Sequence, residues 1–206
     1  MIQPTIKSRP VYGRLAPRAG TFHLLVADGE GAKAITDMKT ITDMAAAAWA
    51  EFFSRAHIVY IAASSSERLL AAALRGLAPA VLHESPSIEA ALPRLHHMLA
   101  TARMGTRLYV AGSEGLIGRA IGMAIAAGMD HAEIETEHRG SQARRVQCVH
   151  CKGITERVTT QPATCAHCGL VLLVRDHFSR RIGAFQGVCI DAEEPGVIPP
   201  AEEIFR

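Results

Sequence analysis

Four of the five cysteines in this chain fall in two C-x2-C pairs, a spacing typical of metal ligation. Cys148 and Cys151 form one pair, and Cys165 and Cys168 form the other after a gap of thirteen residues. Each pair places two thiolates on one tight turn, and two such turns facing each other close a tetrahedral site. A site closed by four thiolates has no open position for catalysis. The spacing therefore predicts a structural metal centre.

Zinc is the metal that this pattern favours, and iron is the alternative because both metals accept four thiolates in the same geometry. Iron would make the module an electron carrier. Unmetallated core cysteines are a third interpretation, which the paired turns disfavour. His150 and His167 lie inside the pairs and are expected to be solvated. Cys189 lies outside them and is expected to be a small buried apolar residue.

The residues around the cysteines indicate a small β module. The thirteen residues between the pairs resemble a hairpin excursion, and LVLLVR at 170–175 resembles a returning strand. Residues 144–188 are therefore predicted to form a zinc ribbon or a rubredoxin-like knuckle. Residues 189–206 are acidic and Pro-rich, and they are expected to form an exposed tail that becomes ordered on a partner surface. The residues of this tail that could anchor it to a partner are Ile198, Ile204 and Phe205.

Two glycine-containing turns could approach a phosphate group. One is ADGEG at 27–31, and the other is AGSEG at 111–115. Asp28 and Glu30 place carboxylates in the first turn, and carboxylates repel phosphate. The spacing of Gly112, Gly115 and Gly118 is a weak signal, since close packing of a helix on a sheet requires the same glycines. The candidate cofactor-binding residues are Gly29, Gly31, Gly112 and Ser113.

Short apolar segments alternate with helical segments through the first two thirds of the chain. This alternation predicts an α/β domain over residues 20–138, with a five-stranded, mostly parallel sheet covered by helices on both faces. Ligands of such sheets bind at the carboxyl ends of the strands. The predicted strands are 21–27, 57–63, 80–83, 107–111 and 132–135, and the predicted helices are 32–53, 65–74, 87–103 and 113–127.

The overall charge disfavours nucleic acid as a partner. The 206 residues include 22 Lys and Arg against 20 Asp and Glu, a formal net charge of +2. A balance of this kind creates no extended positive field for a phosphate backbone or an anionic membrane.

No membrane or export segment is predicted, so we expect a cytoplasmic protein. Residues 1–20 have basic residues and prolines but no apolar core of a signal peptide. The most apolar long stretch, residues 115–129, is too short to span a bilayer and includes Arg119.

The two glycine turns and their strands resemble the nicotinamide-binding domain of the ferredoxin reductase family, in particular the phthalate dioxygenase reductase type. The similar segments are LLVADGEGAKAITDM at 24–38, HIVYIAASSSERL at 57–69 and the long segment at 108–137. The family's Thr-Pro after the first turn is absent. Ala111, Gly112 and Ser113 stand where the family has Cys-Gly-Pro. These departures imply that nucleotide binding is weak or lost.

The whole arrangement resembles the small-subunit family of bacterial dimethylamine monooxygenases. The four-cysteine module and the segment LLVRDHFSRRIGAFQGV at 172–188 carry this resemblance. It implies a multisubunit NAD(P)H-dependent enzyme that demethylates dimethylamine to methylamine and formaldehyde. Haem, flavin and a [2Fe-2S] cluster are then expected on partner chains, namely a haem subunit and a flavin/iron-sulfur reductase subunit.

We therefore predict a noncatalytic accessory subunit of a hetero-oligomer. The first alternative is a direct electron-transfer subunit, through rubredoxin-type iron or residual NAD(P)H binding. The second is an unrelated zinc-ribbon adaptor. His177, Arg180 and Arg181 could contact an acidic partner surface, bind a carboxylate or phosphate group, or form a solvated face. Trp49 is expected to pack in the core.

Overall fold

A five-stranded parallel sheet forms the larger part of the molecule. The computed structural model describes residues 8–206, so part of the N-terminal stretch in which no export signal was expected lies outside the described residues. The strand order is β3-β2-β1-β4-β5, and every neighbouring pair is parallel. The prediction of a five-stranded sheet is confirmed. Its strands are β1 (Phe22–Asp28), β2 (Ala56–Ile61), β3 (Val81–Ser85), β4 (Thr106–Gly112) and β5 (Ile134–His138).

Helices cover both faces of this sheet. Along β1, Leu25 and Ala27 pack into one apolar cluster, and Leu24 and Val26 pack into the other. Buried residues on alternate sides of a strand are typical of a doubly wound sheet. The helices are α1 (Gly31–Ile41), α2 (Ala46–Ser54), α3 (Ser65–Arg75), α4 (Ile88–Ala100) and α5 (Glu114–Ala126).

Two element boundaries differ from the prediction. The single helix expected over 32–53 is two helices, because the β-branched run Thr40, Ile41 and Thr42 disfavours helix and Thr42 adopts an extended conformation. The last strand begins at Ile134 rather than at residue 132. A short 3-10 turn (His131–Glu133), capped by Asp130, precedes it.

A second sheet contains the cysteine module. It has the strand order β7-β6-β11-β10-β9, and β7 lies antiparallel to β6. The hairpin predicted within the thirteen residues between the cysteine pairs does not form, because β7 pairs with β6 and β9 pairs with β10. The segment predicted to return after residue 170 is the long strand β10. Its strands are β6 (Arg144–Cys148), β7 (Ile154–Val158), β9 (Ala163–Thr164), β10 (Val171–Ser179) and β11 (Ala184–Cys189). We call residues 144–189 the ribbon.

The C-terminal segment folds back onto the ribbon. Strand β12 (Glu202–Glu203) pairs antiparallel with β8 (Thr160–Gln161). Phe205 is only 7% exposed, and its ring centroid lies 4.0 Å from Cζ of Arg144. The expectation that Phe205 is free to anchor a partner is therefore wrong, because this ring completes the apolar core of its own chain. Ile198 and Ile204 remain exposed.

An extended N-terminal arm, residues 8–20, runs along both units. The amide of Ser8 donates to the carbonyl of Asp176 in the ribbon, and the amide of Gly13 donates to Thr136 of β5. Leu15 is fully buried. Within residues 8–206, no helix is both long and apolar enough to cross a membrane.

Candidate functional site

The four predicted cysteines lie together at one end of the ribbon. Their sulfur atoms all lie within 4.8 Å of one another. The Sγ atoms of Cys148 and Cys168 are 3.9 Å apart, and those of Cys151 and Cys165 are 3.7 Å apart. A metal–sulfur distance of about 2.3 Å in a tetrahedron requires sulfurs about 3.8 Å apart, whereas a disulfide requires about 2.05 Å. The donor set therefore suits a tetrathiolate metal centre, with zinc and iron as the metals that it fits.

The two cysteine turns have the same backbone geometry. The amide of Lys152 donates to the carbonyl of Cys148 at 2.9 Å, and the amide of Gly169 donates to the carbonyl of Cys165 at 3.0 Å. Both Lys152 and Gly169 have positive φ. This repeated turn brings the second thiol of each pair back beside the first. Each C-x2-C pair therefore supplies two of the four ligands through its own local turn.

Backbone N–H groups support the negative charge of one thiolate. Burial raises the pKa of Cys165, but hydrogen bonds from the backbone N–H groups of Cys168 and His167, together with those from the thiols of Cys168 and Cys151, lower that pKa to about 6. A lowered pKa favours the thiolate, which is the form that binds a metal.

The other candidate ligands stay outside the cluster. His150 and His167 are exposed, and Nε2 of His167 lies 2.9 Å from the carbonyl oxygen of Ile154. Cys189 is half-buried, and its thiol donates to the carboxylate of Asp191 at 3.1 Å.

The carboxyl ends of β1 and β4 form the crevice in which a doubly wound sheet binds its ligand. Gly31 packs against β4, where an added Cβ would lie 2.1 Å from the carbonyl oxygen of Ala111. Gly29 occupies the turn between β1 and α1, and Gly112 and Ser113 connect β4 to α5. The structure thus brings all four candidate cofactor-binding residues to one edge of the sheet.

An internal carboxylate occupies this crevice. Asp28 accepts a hydrogen bond from the Ser113 amide at 2.7 Å and another from the Ser113 hydroxyl at 2.5 Å. Gly112 has φ of +138°, and an added Cβ would lie 1.8 Å from Oδ1 of Asp28. Burial raises the pKa of the Asp28 carboxyl, although the hydrogen bonds from Ser113 oppose this change. The carboxylate takes the amide that a phosphate would need, so the residues present do not fit a dinucleotide pyrophosphate.

Further carboxylates surround the first turn. An added Cβ on Gly29 would lie 3.2 Å from Oε1 of Glu67. The hydroxyl of Tyr60 is within hydrogen-bonding distance of the carbonyl oxygens of Gly29 and Glu67, at 3.1 and 2.9 Å. Glu30 is exposed and pairs with Lys33. These contacts hold the turn between β1 and α1 in a place where the neighbouring side chains are negatively charged.

The remaining singled-out residues have structural or solvent-facing positions. Gly118 contacts the turn before β11. Trp49 is 3% exposed and packs with Phe52 and Phe53, as predicted. His177, Arg180 and Arg181 are exposed, and within residues 8–206 none of them forms an ion pair.

A polar pocket of about 220 Å³ between the N-terminal arm, the end of β5 and the ribbon was not predicted. The Tyr12 hydroxyl donates to Glu114 at 2.5 Å, and Arg144 donates to Asp176 at 2.8 Å. Burial raises the pKa of Glu114, although the Tyr12 hydrogen bond opposes the change. The polar groups of these side chains are paired with one another. The pocket therefore lies at a contact between the two units. No sequence signal marks it, because Tyr12 and Glu114 are 102 residues apart.

Two family models match this chain. The model described as dimethylamine monooxygenase subunit DmmA-like, N-terminal domain, matches residues 4–134. The corresponding C-terminal domain matches residues 145–188. A curated relative, the heme-dependent oxidative N-demethylase delta subunit of Ectopseudomonas mendocina (strain ymp), is 38% identical over 120 residues, which are 57% of this chain and 69% of that protein.

Two solved structures align with lower similarity. The flavohem-like FAD/NAD binding domain of nitric oxide dioxygenase from Vibrio cholerae O1 biovar El Tor is 16% identical, with a TM-score of 0.39, and the alignment covers 60% of this chain and 53% of that one. Phthalate dioxygenase reductase is 14% identical, with a TM-score of 0.39, and the alignment covers 73% of this chain and 46% of that one. The chain thus spans about half the length of these two proteins.

Proposed function

Because the chain belongs to the DmmA-like family of dimethylamine monooxygenase subunits, we propose that it is an accessory subunit of an oxidative N-demethylase. The proposed complex converts dimethylamine, O2 and NAD(P)H with one proton into methylamine, formaldehyde, water and NAD(P)+. Haem, flavin and a [2Fe-2S] cluster belong to a haem subunit and a flavin/iron-sulfur reductase subunit in this proposal. The chain itself is noncatalytic and contributes surfaces that hold the other subunits.

The observation that carries the noncatalytic role is the bond between Asp28 and Ser113. The Asp28 carboxylate accepts hydrogen bonds from Ser113, the residue at the N-terminus of α5. An active nicotinamide domain would hold the cofactor's phosphates at this place, at the carboxyl end of the sheet. An enzyme subunit that transferred hydride would need this position free. The fold is therefore proposed to serve as a scaffold.

The four-cysteine centre is proposed to hold zinc and to stabilise the ribbon. Four thiolates close the coordination sphere, and the metal's binding free energy adds to the stability of a β module with few apolar core residues. We propose Cys148, Cys151, Cys165 and Cys168 as its ligands.

Electron transfer through iron at the same centre is the second candidate. Cys168 is exposed, so this sulfur reaches the surface, where a partner's redox group could approach. Metal analysis separates the candidates, because an iron tetrathiolate centre absorbs visible light and a zinc centre does not. About one zinc per chain would support the accessory role, and stoichiometric iron with a reversible colour change on reduction would support the second candidate.

Reconstitution of the complex tests the proposed function. We expect the chain to co-elute with the haem and reductase subunits after co-expression and to be required for dimethylamine-dependent NAD(P)H oxidation. The chain alone should not oxidise NAD(P)H with any added electron acceptor. Full activity of a complex assembled without this chain would contradict the proposal.

A further inference from the structure

A groove lies at the amino end of the parallel sheet, opposite the Asp28 crevice at its carboxyl end. It lies where the amino ends of β1, β2 and β4 meet the C-terminal half of α4, and its volume is about 590 Å³. Phe22 and His57 come from the strands, and Arg94 and Met98 come from α4. The groove is therefore far from the elements that contain the cysteines and from the crevice discussed above.

The groove is cationic, and the chain itself does not neutralise it. Arg94, Arg103, His57 and His97 line it, and no carboxylate is among its lining residues. Within residues 8–206, neither Arg94 nor Arg103 forms an ion pair. The charge also reaches neighbouring groups: burial and then the Arg94 guanidinium lower the pKa of both His57 and His83.

The end of α4 offsets only part of this charge. The helix terminates at Ala100, so its C-terminal carbonyl groups lie near His97 and Thr101. A helix C-terminus is equivalent to about half of a negative charge. Two guanidinium groups exceed that value, so the groove keeps a net positive charge that an acidic partner could neutralise.

Apolar side chains form part of the groove's lining, and another lies just outside it. The Phe22 ring packs edge-on against His57, with centroids 4.7 Å apart, and Met98 is half-buried beside them. Met104 follows Arg103 directly and is 97% exposed. An apolar lining beside unpaired cations fits a ligand that has both carboxylates and an apolar side chain.

The rim of the groove is open to solvent. Arg94, His97 and Arg103 are all exposed, whereas a small-molecule pocket buries most of its ligand's surface. An extended segment of another protein can cover such a rim and reach Met104 as well. This shape therefore favours a peptide segment over a free small anion.

We propose that the groove docks an acidic segment of another subunit of the complex, with Asp or Glu side chains on the two arginines and an apolar side chain between them. This inference rests on the proposed function, since it supplies one of the subunit contacts which that function requires. The partner's carboxylates would be steered and oriented by Arg94 and Arg103.

Charge reversal tests the docking surface in the co-expressed complex. Arg94→Glu with Arg103→Glu should lower the amount of partner subunits that co-elute with the chain by about tenfold or more, because like charges then face each other. Arg94→Lys with Arg103→Lys should retain most of the binding. Lys39→Glu with Arg68→Glu is the matched control, since it changes the net charge equally at exposed positions on α1 and α3. Unchanged melting of each variant would show that folding is intact.

A photo-crosslinking residue, p-benzoylphenylalanine, placed at Met104 identifies the partner segment. We expect a crosslink to a segment of a partner subunit that contains neighbouring Asp or Glu residues. A crosslink to a segment without them, to nucleic acid, or to no subunit would overturn the inference. The same residue placed at Leu69 of α3, which is 77% exposed, is the control.

The two proposals fail in distinguishable ways. If the parent chain does not co-elute with the haem and reductase subunits, the proposed function fails, and the docking surface fails with it. If the parent and the Arg94→Glu, Arg103→Glu variant co-elute equally well, only the docking surface is rejected.

Discussion

Gly118 of α5 and Gly183 of the ribbon meet backbone to backbone. An added Cβ on Gly118 would lie 2.5 Å from the Gly183 carbonyl oxygen, and one on Gly183 would lie 1.8 Å from the Gly118 carbonyl oxygen. Neither position has room for a side chain. This contact brings the four-cysteine module against the helix that follows the crevice, so the two units are packed together through a glycine pair.

We predict that Gly118→Ala loosens this contact. Overpacking of this kind costs about 1–3 kcal/mol, whereas alanine in a helix gains up to about 1 kcal/mol over glycine. Gly115→Ala is the matched control, because it lies in the same helix with nothing within 4 Å of an added Cβ. Denaturant unfolding should find Gly118→Ala about 2 kcal/mol less stable than Gly115→Ala. Equal stabilities would contradict the packing.

The glycine pair also shows what could and could not be predicted from the sequence. The spacing of Gly112, Gly115 and Gly118 predicted close packing as one interpretation, but it placed the contact on the sheet. The actual neighbour, Gly183, is 65 residues after Gly118 in the chain. Periodicity describes local structure, and it carries no information about which distant turn meets a helix.

Local signals predicted the strands and the cysteine cluster well. The three central strands β1, β2 and β4 each have an apolar run, and each cysteine turn needs only four or five neighbouring residues. Contacts over long separations were missed. Asp28 bonds to Ser113 across 85 residues, and Phe205 packs on Arg144 after a tail that looked too polar to fold. These depend on tertiary packing that composition cannot express.

Removal of one cysteine ligand should release the metal and unfold the ribbon. We expect Cys151→Ser or Cys165→Ser to lose most of the bound zinc, since a structural site contributes its binding free energy to folding. Cys189→Ser is the control, because its thiol contacts Asp191 instead of the cluster. Metal analysis and hydrogen exchange after residue 145 provide the readouts. Full metal content and an unchanged melting profile in either ligand variant would reject the site.

The isolated chain should bind NAD(P)H weakly or not at all. Asp28 occupies the Ser113 amide, and the carboxylates of Glu30 and Glu67 lie around the same turn. Calorimetry is expected to detect no binding in the micromolar range. A micromolar dissociation constant, about −8 kcal/mol, would contradict the argument and revive the electron-transfer candidate. Asp28→Asn removes the charge but keeps the shape, so tighter binding in that variant would identify repulsion as the cause.

The stability of the fold should decrease in mild acid because of His23. This side chain is 2% exposed and stacks on Phe52, and burial, followed by the charges of Arg55 and Arg107, lowers its pKa to about 4. In the unfolded chain the pKa is about 6.5. Between these values the unfolded chain binds a proton that the folded chain does not bind. The contribution of His23 to the free energy of unfolding therefore has its full value above about pH 6.5. It decreases by up to about 3 kcal/mol as the pH drops towards 4.

His23→Phe removes this titration while keeping the stacking on Phe52. Between about pH 4 and 6.5, the slope of the unfolding free energy against pH reports how many more protons the unfolded chain binds. In His23→Phe this number should be lower than in the parent by up to one proton. His96→Phe, at an exposed position on α4, should leave the slope unchanged. Equal slopes in the parent and His23→Phe would show that His23 does not titrate as described.

The C-terminal segment should have two separable roles, one in folding and one in assembly. Phe205 is buried against Arg144, so Phe205→Ala is expected to cost about 3 kcal/mol of ribbon stability, as large-to-small changes in a core do. Ile198 and Ile204 are 48% and 51% exposed, so Ile198→Ser with Ile204→Ser should leave the unfolding free energy nearly unchanged.

If the exposed isoleucines contact a partner, the double serine variant should weaken co-elution with the haem and reductase subunits without any loss of stability. Deleting residues 189–206 removes both roles at once, and therefore cannot by itself locate the interface. Arg180→Glu with Arg181→Glu tests the neighbouring turn, where a partner's carboxylates would make the loss depend on salt. Parent-like co-elution of both variants would leave the parallel-sheet unit, through the groove at Arg94 and Arg103, as the surface that holds the complex together.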